Sequence, residues 1–174
     1  YMMQDTALLS STATLYITLA GSGSVDPIPV ADLATAAEAG GVSNTTSGVN
    51  PTGNVLTNDN ASGGTNTLTT IKSTQVASET AVTGSVVVGG VTYNTAVTGL
   101  YGTLYVKTDG SYLYVVDNNN ATVNALQVGS TLNDVFTYTV SDGKGGTAST
   151  TLTIVIKGTD DAPVANPDYN TAKE

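Results

Sequence analysis

A chain of 174 residues has room for one sizeable core but not for two independent ones. Its formal charge of −9, fourteen acids against five lysines with no arginine, excludes recognition of a phosphate backbone, so neither nucleic acid nor an anionic membrane surface is an expected partner. Cysteine and histidine are both absent, which removes disulfides, thiolate or imidazole zinc sites, and any mechanism built on a histidine base.

The first element in chain order is Ala13–Ala20, with Leu15, Ile17 and Leu19 alternating along a strand. The opening Tyr1-Met2-Met3-Gln4 carries no basic segment, so either a targeting signal has been removed or this is an internal piece of a longer protein. A linker with Asp26 and Pro27 follows. Ala31–Ala39 is alanine-rich and scores as helix on propensity, while its flanking prolines and glycines fit an extended linker equally well. Short strands are then expected near Asn54–Leu56, Leu68–Ser73, Gly84–Val88 and Val91–Ala96, with Gly89-Gly90 turning between the last two. Leu104–Thr108 and Ser111–Val116 flank Asp109-Gly110, a dipeptide suited to a tight primed hairpin turn. Asp117-Asn118-Asn119-Asn120 reads as a turn or helix cap, opening one helical turn over Ala121–Leu126.

Asp134–Ser141 alternates cleanly, with Phe136, Tyr138 and Val140 on one face. Beyond the glycine-rich turn Asp142-Gly143-Lys144-Gly145-Gly146, Leu152, Ile154 and Ile156 again share a face, completing a hairpin. No apolar run approaches the roughly 20 residues that span a bilayer, so membrane insertion is not expected. Seven or more short strands with little helix indicate an all-β sandwich.

The two ends repeat each other. Ser11–Gly21 matches Ser149–Gly158, and Asp32 and Asp168, like Glu38 and Glu174, stand 136 residues apart. That is the spacing of one module in a tandem array. It divides the chain into 1–24, the last strand of a preceding module or a donor strand plus linker; 25–160, one complete module; and 161–174, a linker into the next. A lone strand at the start must find a partner, so residues 7–20 are the candidate contact with a neighbouring copy of the module or protomer.

Calcium takes about six to eight oxygen ligands, mixing carboxylates, amides and carbonyls. The candidates are Asn58 and Asp59 in one loop, Asp142 in the hairpin turn, Asp160 and Asp161 in the exit linker, and Asp26, Asp32 and Glu38 in the leading linker. Alternate loops of a sandwich gather at its two ends, where these residues could converge. The plainer reading gives the same residues to turns and solubility. Tyr112, Tyr114 and Tyr138 read as core aromatics, leaving Tyr93, Tyr101 and Tyr105 as candidates for a sugar-stacking surface. No enzyme is expected: Glu38, Glu79 and Glu174 are the only glutamates, and none stands in an apolar context that would raise its pKa for proton donation.

Four ordered motifs, Asn54–Asp59, Gly99–Leu104, Asp109–Tyr114 and Leu132–Gly143, resemble the repeat named after Vibrio, Colwellia, Bradyrhizobium and Shewanella, and Gly158–Ala165 is similar to its inter-repeat linker. The resemblance covers about residues 30–165. It implies an immunoglobulin-like or cadherin-like Greek-key sandwich, calcium as cofactor, and a place in a secreted or surface-bound bacterial adhesin. In that setting the module would serve cell adhesion or biofilm formation, with a glycan or surface ligand reached through the parent protein. Some surface domains of this kind carry Lys–Asn isopeptide bonds, for which Lys72 and Lys107 are the remaining candidates. The readings kept open are a filament subunit that polymerises by strand addition through residues 7–20, and a calcium-dependent glycan-binding module.

Overall fold

The computed structural model describes residues 2–4, 10–12, 25–75 and 78–161. Strands β1 (Met2–Gln4) and β2 (Ser10–Thr12) pair antiparallel with each other. The expected strand Ala13–Ala20 lies outside the described residues, as do Asp168 and Glu174.

The body is a two-sheet β-sandwich. Its strands are β3 (Asp32–Ala37), β4 (Thr52–Asn54), β5 (Thr67–Ser73), β6 (Thr80–Ala81), β7 (Val86–Val88), β8 (Val91–Tyr93), β9 (Thr95–Thr98), β10 (Gly102–Val106), β11 (Ser111–Val116), β12 (Thr131–Ser141) and β13 (Thr147–Lys157). One sheet has the order β3-β13-β12-β5-β6 and the other β4-β11-β10-β9, while β7 and β8 form a separate ribbon. The chain passes between the sheets after β3, after β4, between β6 and β9, and after β11. The first sandwich strand, β3, pairs parallel with the last, β13. This is the connectivity of an immunoglobulin-like Greek key.

Period-two patterning places the core. Phe136, Tyr138 and Val140 of β12 and Leu152, Ile154 and Ile156 of β13 are fully buried, facing Leu104, Val106, Tyr114 and Val116 of the opposite sheet. The Tyr114 and Phe136 rings meet edge to face at 6.1 Å across the sandwich, a geometry aromatic quadrupoles favour. The β12–β5 register shifts between Thr139 and Val140, and the Thr69 hydroxyl donates to the displaced Thr139 carbonyl at 3.0 Å.

Three details differ from the sequence reading. Ala31–Ala39 is a strand over Asp32–Ala37, because pairing with β13 satisfies its backbone and buries Ala36, outweighing alanine's helical propensity. The Asp109-Gly110 hairpin has a three-residue loop in which only Gly110 takes positive φ (85°); Gly110 N–H donates to Lys107 O at 3.0 Å and Lys107 N–H to Ser111 O at 2.8 Å. That is a type I turn closed by a glycine bulge, not a primed turn. Gly89 and Gly90 (φ 58° and 79°) do form the two-residue primed type, between β7 and β8. The first short strand also comes earlier than expected, at Thr52–Asn54. Helix α1 (Ala121–Asn124) is capped by the Asn120 side chain, which accepts from Thr122 and Val123 N–H. No helix among the described residues is long and apolar enough to cross a membrane.

One buried acid ties the sheets together. Asp134, only 1 % exposed, accepts from Leu100 N–H (3.1 Å), Tyr101 N–H (3.0 Å) and the Tyr114 hydroxyl (2.8 Å). A side chain at Gly99 would collide with this carboxylate, which is why the Gly99–Gly102 turn opens with glycine. Asp134→Ala orphans the buried Tyr114 hydroxyl and two part-buried N–H groups, so chemical denaturation should show a loss of about 2 kcal/mol relative to wild type.

Candidate functional site

The parallel β3–β13 pairing sets the sandwich's two ends. Residues 25–31 run beside the loop after β4, through a bridge of Ile28 to Asn60 and a bond from Ser62 Oγ to the Asp26 carbonyl (2.9 Å). That loop packs on the β12–β13 turn, where Thr65 N–H donates to the Asp142 carbonyl at 3.0 Å. This is the leading end. β3 and β13 then run together to the exit end, where Glu38 and residues 158–161 emerge side by side.

Near the leading end, Asp32, Asn58 and Asp59 are brought together around one tyrosine. The fully buried Tyr138 hydroxyl lies 2.7 Å from Asp32 Oδ2, 3.0 Å from Val55 O, 3.3 Å from Val30 O and 3.4 Å from Asp59 Oδ2. It has one proton to donate, and the short bond assigns that proton to Asp32. Asp59 Oδ1 accepts from Val30 N–H at 2.7 Å, and Asn58 Nδ2 donates to Val30 O at 3.4 Å. Burial pushes both carboxyl pKa values up, opposed by Tyr138 at Asp32 and by the Val30 N–H at Asp59; the Asp59 charge raises Asp32 further. Burial, followed by the two carboxylates, holds the Tyr138 phenol far above its ordinary range. The sequence pattern placed Tyr138 on the inner face but gave no sign that its hydroxyl gathers these oxygens.

Asp142 and Asp26 stand apart from that group. Asp142 is 2 % exposed, and its Oδ1 accepts from Lys144 N–H (2.7 Å) and Gly146 N–H (2.9 Å), organising the hairpin turn. Asp26 is exposed.

At the exit end, Glu38 lies within reach of the Asp161 charge, and the Asp160 backbone is held beside Gly41. Glu38 is fully buried, against the expectation that no glutamate sits where burial would shift it: β3 ends on the inner side of the exit linker, and desolvation raises the Glu38 pKa, with the Asp161 charge adding to the effect. Its Oε1 accepts from Thr159 N–H at 3.0 Å, while Oε2 and the buried Thr159 Oγ1 have no partner. Gly41 N–H donates to Asp160 O at 2.9 Å, and Ala39 N–H to Asn118 Oδ1 at 2.8 Å. Among the described residues, no three carboxylates gather closely enough to hold a metal by themselves. A cation at either end would therefore draw on carbonyls, hydroxyls or amides as well, which is ordinary for calcium.

Of the tyrosines proposed as a sugar platform, Tyr93 is buried beneath the Lys107 ammonium, 5.5 Å above its ring, while Tyr101 and Tyr105 are half-buried. Lys72 forms a surface ion pair with Glu79 at 3.7 Å.

No protein-family model matches this chain. It is 31% identical over 123 residues to the calcium-binding lectin RapA2 of Rhizobium johnstonii, across 70% of this chain and 48% of the relative. The chain thus spans about half the length of the curated relative it matches.

The raised carboxyl pKa values fix the sign of a pH effect. The folded state holds these protons more tightly than the unfolded chain, so their contribution is fully present below the ordinary carboxylate range and is lost as pH rises through the raised values. In chelator, melting temperatures taken from pH 4 to 7 should fall more steeply for wild type than for Asp59→Asn, which keeps an acceptor for Val30 N–H but loses the charge. A difference between the two that does not change with pH would show that Asp59 carries no shift.

Proposed function

We propose that this chain supplies an all-β spacer module to an extracellular bacterial surface protein, its ends stiffened by calcium, in the service of cell adhesion or biofilm formation. The observation that carries this reading is the parallel pairing of β3 with β13, through which the chain arrives at one end of the sandwich and leaves at the other. Modules joined this way extend end to end, and the linkers between them are where a cation limits bending. Similarity to a protein named as calcium-binding and the oxygen-rich groups at both ends support the choice of ion. The reading assigns the module no chemistry of its own.

Strand addition by residues 7–20 is less favoured. Ser11–Gly21 is similar to Ser149–Gly158, and the slot between β3 and β12 that such a strand fits is already filled by β13. Glycan binding is the second reading, favoured by the relative's being a lectin and by an open groove beside Tyr105, Thr103 and Asp117.

Calcium at about 100-fold its dissociation constant should raise the melting temperature by about 5–10 °C over chelator. An unchanged melt would overturn the calcium part of the reading. Deleting residues 1–21 should leave a monomer by light scattering; loss of filaments on deletion would favour strand addition instead. Tyr105→Ala abolishing calcium-dependent retention on a glycan surface would favour the lectin reading.

A further inference from the structure

Val128 stands where a valine is out of place. It occupies the corner of the turn Gln127–Ser130, closed by Ser130 N–H donating to Gln127 O at 2.9 Å, with Gly129 at φ 86°. Turn corners favour Gly, Pro, Asn, Asp and Ser, and at 68 % exposure this β-branched side chain has little to pack against in its own module. The backbone beneath it is fixed. Val128 bridges to Gly158 in parallel, Gly158 N–H donates to Ser130 O at 3.1 Å, and a side chain at Gly158 would collide with the Leu126 and Gln127 carbonyls. Val128 thus lies between two open concavities at the exit end, one bounded by Thr159, Asp160 and Asp161, the other by Lys157 and Gly158. The leading end shows the same pattern. Ile28 is 59 % exposed although two hydrogen bonds of 2.9 and 3.1 Å lock its backbone to Asn60, and Val25 and Val30 beside it are exposed too. Single exposed aliphatic side chains are ordinary, whereas a cluster of them on a fixed backbone is a contact surface.

The 136-residue repeat brings these two surfaces to each other. With that period, residue 161 of one module takes the place of residue 25 of the next, so the next module's Ile28 follows three residues after the Asp161 that lines the exit concavity. Three residues span at most about 10 Å. The sequence keeps the apolar character at this joint, since Pro163 and Val164 stand 136 positions after Pro27 and Ile28. We propose that Ile28 of a following copy of this module packs on Val128 of the copy before it, an apolar contact that fixes the angle between the two. Charge selects the side of Val128 on which the segment lies. Asp26 is exposed, so the leading segment is repelled by Asp160 and Asp161 and drawn to the exposed Lys157 in the other concavity. The contact needs no ion, and calcium at a module end would add to it. The inference rests on the spacer reading only for the presence of a second module.

The test joins two copies at this period, residues 1–161 followed by residues 26–174, with Thr92→Cys in each copy. The chain has no cysteine of its own, so spin labels on the two β7–β8 ribbons report one distance between the copies. In chelator the wild-type tandem should give a single narrow distance distribution. Val128→Asp in the first copy, or Ile28→Asp in the second, should broaden it, lowering the ratio of docked to undocked molecules about tenfold. The same substitutions placed the other way round, Ile28→Asp in the first copy or Val128→Asp in the second, should leave it narrow, which a merely structural role for either residue would not allow. Val128→Asn, suited to a turn corner, repeats the test without added charge, and each variant of the single full chain should melt as wild type does. A narrow distribution that every substitution leaves unchanged puts the contact elsewhere, overturning this inference while the spacer reading stands. A distribution narrow only with calcium leaves the joint to the ion alone, and again only this inference falls. One that is broad with and without calcium overturns the inference and the spacer reading together.

Discussion

The hydrogen-bonded ladder between β3 and β13 is the constraint on which the rest of this structure depends. It joins the beginning of the sandwich to its end, with Asp32 opposite Leu152 and Ala37 opposite Lys157. Parallel pairing obliges both strands to finish at the same end, so Glu38 and Thr159 become neighbours although 121 residues separate them. The same register starts β3 beside Tyr138, whose hydroxyl then meets Asp32. A helix over Ala31–Ala39 would have left β13 as an exposed edge and scattered the acids of both ends.

Three buried acidic side chains show how differently one fold can treat a charge. Asp134 receives three donors and stitches the β9–β10 turn to β12. Asp142 spends one oxygen on two N–H groups of its own turn. Glu38 is half-served, with one oxygen bonded and the other left over. A protein interior tolerates a carboxylate only when its oxygens are met. The two satisfied acids therefore read as architecture, while Glu38 keeps one buried oxygen that no group of the described residues meets.

An extended module with a cation-dependent joint would suit a surface protein exposed to a changing medium. Without cysteine the chain has no disulfide, and its interior is held by β packing and by polar groups such as Asp134. On the proposed reading, a cation at a module end would add stiffness at the joints between modules. The body of the sandwich, whose core is continuous across both sheets, would keep its shape with or without the ion.

The amino-acid sequence by itself determined the strands whose two faces differ. Phe136, Tyr138, Val140, Leu152, Ile154 and Ile156 announce their inner face because side chains alternate and only one face is buried. The glycine turns at 89–90 and 142–146 and the Asn120 cap were equally local and equally legible. Tertiary structure alone decided what β3 is, since its alanines favour a helix until β13 offers a backbone ladder. It also decided which acids meet: Asp32 with Asp59, Glu38 with Asp161, Asp134 with Tyr114. Those encounters join residues from 20 to more than 120 positions apart, and periodicity reports which face a side chain takes, not which distant side chain shares it.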